Sequence, residues 1–150
     1  MIKNIAHNWF MNQPPEQVWE YLTDTDLITQ WLMKNDFEPV VGHQFRFYAQ
    51  PLPQMDFDGN IYCTVLEITP FSRLSYSWKG GPGNGVITLD SIVLWTLIPK
   101  DGGTELRLEH SGFKETDNMM MYAAMDAGWS KIVQKIGSVL NERYHGTVQS

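Results

Sequence analysis

A chain of 150 residues, 43% of them hydrophobic, is enough for one compact domain, and 11 Lys and Arg against 17 Asp and Glu leave it a formal charge of -6. That balance argues against nucleic acid as a partner, because phosphate binding needs clustered cations that displace counterions. The longest unbroken apolar run, Met119 to Met125, falls far short of the roughly 20 residues of a membrane-spanning helix, so no membrane span is expected.

The first residues, Met1 to Asn8, lack the apolar stretch and cleavage site of a leader, which makes the cytoplasm the default location. From Ile2 to Met11 the pattern is that of a strand, stopped by Asn12-Gln13-Pro14-Pro15. Pro15 suits the first turn of a helix, and Val18, Trp19 and Leu22 follow at helical spacing, so a short helix is predicted from Pro15 to Leu22. Thr23 to Asp26 supply capping oxygens, and Leu27, Ile28, Trp31 and Leu32 predict a second short helix. From Gln44 to His110 the period becomes two. Phe45 and Phe47, then Leu74, Tyr76 and Trp78, then Leu106, Leu108 and His110 alternate with polar neighbours, as antiparallel strands with one solvated face do. Asp58-Gly59, Pro70-Phe71-Ser72 and Lys100 to Gly103 read as hairpin connections between strands at Ile61–Ile68, Arg73–Lys79, Ile87–Ile98 and Thr104–His110, giving a meander of six strands in all. The period then returns to helical. Trp129, Ile132, Val133, Ile136 and Leu140 form one stripe, which predicts a helix from about Asn118 to Tyr144, about 40 Å long at 1.5 Å per residue. The fold class is α+β: a curved antiparallel sheet with one long C-terminal helix packed across it.

Several segments carry a resemblance. Pro15 to Thr23 with Trp31 after it, Val41-Gly42-His43-Gln44-Phe45-Arg46, Val65 to Pro70 with Arg73 to Trp78, Gly103 to Phe113 and Gly128-Trp129 occur in the order found in one family. The chain resembles the heat-shock ATPase activator-like (Aha-type) branch of the START and polyketide-cyclase superfamily. That resemblance implies the helix-grip fold, a sheet holding a long helix over a hydrophobic cavity, and residues 1–150 as a single START-like domain. It also implies a small lipophilic or aromatic ligand as partner, with cyclase or aromatase chemistry as an alternative. A contact with a chaperone ATPase in a stress response, or with a second copy of the chain, is a third reading. The eukaryotic co-chaperones of the family join such a domain to a separate N-terminal chaperone-binding domain, and no such domain is expected within these 150 residues.

The six Trp, six Tyr and seven Phe are enough to fill a core and to line something besides. Strand parity turns Phe45, Phe47, Tyr76, Trp78, Trp95 and His110 inward, and helical spacing sets Met121, Tyr122, Met125 and Trp129 against them. These ten are the candidate ligand-binding residues, with ordinary core packing as the alternative for each. His110 is the one ionisable side chain on the apolar face. It is either a neutral histidine satisfied by backbone or tyrosine, a ligand contact, or an acid–base group working with Tyr76 or Tyr122. Met119 to Met121 with Met125 suggest a deformable gate at the start of the long helix. Gly80 to Gly85 lacks the lysine and following helix of a phosphate loop and reads as a hairpin loop beside the cavity mouth. No metal or other cofactor is expected, because His7, His43, His110 and His145 show no ligand spacing and Cys63 stands alone as a small buried side chain. No nucleophile elbow is present, and Asp24/Asp26 and Asp56/Asp58 lie in turn-like contexts, so no catalytic constellation is evident.

Overall fold

Pro14 and Pro15 set the first boundary, since neither has an N–H to offer a strand ladder. A computed structural model of the chain describes residues 2–114 and 119–148. In it strand β1 runs Ile2–Met11, helix α1 runs Pro15–Thr23 and helix α2 runs Thr25–Trp31. Asp24 alone separates the two helices. Its backbone N–H donates to the Glu20 carbonyl and its carboxylate accepts from the N–H groups of Asp26 and Leu27, so it closes one helix and caps the next. The Trp31 indole donates to the Tyr21 carbonyl at 2.7 Å and fixes the corner between them.

The alternating segment forms β2 (Lys34–Asn35), β3 (Gln44–Tyr48), β4 (Asn60–Thr69), β5 (Arg73–Gly80), β6 (Leu89–Lys100) and β7 (Gly103–Lys114). All pair antiparallel in one sheet of order β1-β7-β6-β5-β4-β3-β2, a meander onto whose last strand β1 closes. The sheet has seven strands rather than six, because two-residue β2 is too short for any alternation to register. Asp101 and Gly102, at φ 50° and 78°, form the two-residue turn between β6 and β7 whose twist suits a hairpin. The β3–β4 connection is not the tight hairpin that Asp58-Gly59 predicts. It runs from 49 to 59 around a 3-10 turn at Pro53–Met55, closed by paired backbone hydrogen bonds between Leu52 and Phe57.

The sheet curls around the C-terminal helical segment in the helix-grip arrangement. Asn118 lies outside the described residues. Beyond it the predicted single helix is two, α3 (Met119–Ile132) and α4 (Gln134–Val148), divided at Val133. The Ile136 N–H turns to the Val133 carbonyl, three residues back, which tightens the chain at the junction. Periodicity misses this break because Trp129, Val133, Ile136 and Leu140, all at most 1% exposed, continue one stripe through it. Past the junction α4 lies close on β1, where a Cβ added to Gly137 would sit 3.3 Å from Met11 Sδ. α3 also packs on β1 and β7, with Asp126 Oδ1 2.7 Å from His7 Nε2, and Trp129 is the one buried residue among its fourteen.

Candidate functional site

The inward parity of β3, β5, β6 and β7 fills most of the space under the helices. Phe45, Phe47, Tyr76, Trp78, Trp95 and His110 are each at most 3% exposed. Their rings interlock: Phe45 meets Tyr76 at 5.4 Å, Phe47 meets Trp78 at 5.2 Å, and Trp129 meets both Trp78 at 5.3 Å and Trp95 at 5.5 Å. These centroid separations lie within the range of favourable tilted and edge-to-face pairs. The Tyr76 hydroxyl accepts from the Trp95 indole at 3.0 Å, and burial pushes its phenol well above the ordinary value. Burial likewise raises the Cys63 thiol, with the charge of Asp36 adding to it, so this cysteine remains a protonated, 3% exposed core side chain.

His110 sits at 0% exposure inside this cluster and is fully engaged. Its Nδ1 accepts from the Trp129 indole at 3.0 Å, and its Nε2 lies 2.8 Å from Ser91 Oγ. Ser91 in turn donates to the Trp78 carbonyl at 2.7 Å, so its oxygen receives the histidine proton. One arrangement satisfies every group: a neutral imidazole protonated on Nε2, in a relay from α3 through β7 and β6 to β5. Desolvation holds its pKa down to about 3. The partners differ from the backbone or tyrosine expected, and Ser91 is the member that sequence reasoning missed.

Four candidates meet at one cleft. Trp78, Met121, Met125 and Trp129 line an apolar cleft of about 260 Å³ beneath α3. Ala124, Gly128 and Ile132 complete the helix wall, while Leu32 and Met33 close one end and Ile61 the floor. Ala49, Gln50, Leu52 and Phe57, from the β3–β4 connection, form the outer lip. Phe45, Phe47, Tyr76, Trp95 and His110 lie behind this lining in the packed core. Tyr122 turns to Phe113 at 5.5 Å, and Met119 and Met120, 40% and 57% exposed, point outward. The lip residues were missed because a loop has no period. The available signal was Leu52 and Phe57, two large apolar side chains flanking a proline-rich turn that must be buried somewhere.

A larger hollow, about 470 Å³, opens on the far side of the sheet between Arg46, Tyr62 and Lys79. It is broad and walled mainly by polar and charged side chains, so an apolar ligand would stay hydrated there. A third, of about 280 Å³, lies against Gly81, Gly83 and Gly85 beside Val86 and Ile87. Among the described residues, no three His, Cys, Asp or Glu groups are placed to hold a metal. No described helix is long and apolar enough to cross a membrane.

The family model for activator of Hsp90 ATPase homolog 1-like proteins matches residues 12–141. The chain belongs to that family. Within the same fold it is 36% identical to the protein MLL2253 of Mesorhizobium loti, at a TM-score of 0.82, covering 93% of this chain and 98% of that one. The Aha1 dimer of Colwellia psychrerythraea is similar at 21% identity and a TM-score of 0.73, covering 92% and 96%. DynU16, from the dynemicin biosynthetic locus, is similar at 23% identity and a TM-score of 0.72, covering 92% of this chain and 47% of that one. At those two identities the likeness shows the fold alone. No curated protein matches the chain.

Proposed function

We propose that this member of the activator of Hsp90 ATPase homolog 1-like family holds a small lipophilic or aromatic molecule in the cleft under α3. The observation that carries the reading is an open, almost wholly apolar void in an interior otherwise filled by interlocked rings. A native core closes such space, since an empty apolar void forfeits both transfer and packing energy. At about 260 Å³ the cleft falls just below the usual range of drug-sized pockets, which favours ligands of one or two rings or a short acyl chain.

Incubation with short fatty acids, small polyketides and flavonoids, read by native mass and melting temperature, is expected to yield a bound species and an upward thermal shift. Gly128→Leu provides the control. A Cβ there meets only Ile132 Cδ1, at 4.0 Å, so the new side chain enters the cleft without displacing the backbone. Exchanging glycine for leucine inside a helix also removes a penalty of about 1 kcal/mol. The variant should therefore melt no lower than the parent and lose the ligand-induced shift. An unaltered ligand response in Gly128→Leu would place binding elsewhere.

A role toward a chaperone ATPase is the second reading, supported by the family description itself. A pull-down from native lysate that recovers no such ATPase would set it aside. Cyclase chemistry through His110 has no geometric support, because both ring nitrogens are already bonded and the ring does not reach the cleft.

A further inference from the structure

The cleft lining contains three side chains with a nitrogen or oxygen: Gln50, Trp78 and Trp129. Gln50 is exposed at the rim. The Trp129 N–H is committed to His110, just as the Trp95 N–H is committed to Tyr76 and the Trp31 N–H to the Tyr21 carbonyl. Trp78 differs. It is 1% exposed, yet its indole N–H donates to no group among the described residues. Nor is it sealed away, for the one described side-chain atom both cut off from solvent and unpartnered is Gln13 Oε1. An indole that is nearly buried, unpartnered and still touched by solvent must meet open space somewhere, and the space Trp78 borders is the cleft.

Resting on the reading of the cleft as a ligand site, we infer that its ligand carries a hydrogen-bond acceptor, a carbonyl or carboxylate oxygen, placed to receive the Trp78 N–H. A ligand that fills the cleft strips this N–H of solvent, a cost that an acceptor oxygen on the ligand offsets and a pure hydrocarbon does not. The apolar walls then supply affinity, and this single donor sets the orientation. The ligand class is a small aromatic ketone or acid with its oxygen at one end of an apolar body.

The test compares 1-indanone with indane, two bicyclic bodies that differ by one carbonyl oxygen. The tryptophan indole N–H signals of the nitrogen-15-labelled protein are followed during titration with each. 1-Indanone is expected to move the Trp78 signal downfield, and indane is not. In Trp78→Phe, the ratio of the two affinities should fall about tenfold relative to the parent, the size of one ordinary hydrogen bond; taking the ratio cancels the different hydrophobicity of the compounds. The signal test uses the unaltered chain, so it stands if the variant fails to fold. Binding of both compounds with no selective movement at Trp78 would overturn the inference and leave the cleft reading intact. Absence of binding by either compound would overturn both.

Discussion

His110→Ala is expected to lower folding stability by about 3–4 kcal/mol, which in a chain of this size is a fall of roughly 10 °C in melting temperature. Three losses combine. The ring is at 0% exposure, so its removal opens a cavity among Trp78, Phe113 and Trp129. The Trp129 indole loses its acceptor, and Ser91 Oγ loses the proton it received. Trp129 is the one buried residue of α3, so the helix that walls the cleft loses its anchor, and ligand binding should weaken along with stability. Urea unfolding followed by tryptophan fluorescence would measure the change. A loss under 1 kcal/mol would mean that the relay contributes little and that ring packing alone holds α3.

Acidification is expected to act through the same ring. Its pKa is about 3 in the fold, against about 6.5 in the unfolded chain. Below pH 6.5 the unfolded state therefore binds a proton that the native state refuses, and stability falls as the pH falls until about 3. The slope approaches 1.4 kcal/mol per pH unit, so the step from pH 6.5 to 4.5 should cost about 2–3 kcal/mol from this residue. Carboxylates also titrate in that window, and His110→Phe separates them. The stability gap between parent and variant should narrow by that amount between pH 7 and pH 4.5. Parallel pH profiles for the two proteins would show that His110 is not the source of acid sensitivity.

The sequence was most legible where one period held over many residues. Ile2–Met11 emerges with both ends as predicted because prolines mark its stop, and β5 to β7 follow because large apolar residues alternate with polar ones along them, although in β5 the intervening Ser75 and Ser77 are buried too. It was silent where structure has no period of its own. Lys34–Asn35 pairs with β3 only because the chain leaving α2 passes along an open edge, and the α3–α4 junction lies beneath a stripe that does not change across it. The same division runs through the site. Parity and helical spacing found Trp78, Met121, Met125 and Trp129, but they could not tell a ring facing a void from a ring facing another ring. Trp95 and Trp78 have the same sequence signature; one donates its N–H to Tyr76, while the other borders the cleft. Ser91 could have been noticed, since counting back from Val93 puts a hydroxyl on the inner face near His110.

The closure of β1 onto β7 governs the order in which this protein can be assembled on the ribosome. Met11 waits for Thr104, and Asn4 for Ser111. At ordinary rates of translation the interval is on the order of ten seconds. Through that time a strand bearing Ile5, Trp9 and Phe10 has no ladder to join, and β7 has only β6. Pairing so distant in sequence slows folding, and an unpaired apolar strand is a template for other chains. Nascent copies crowded on one message are thus most exposed to mispairing before the sheet's final seam is drawn.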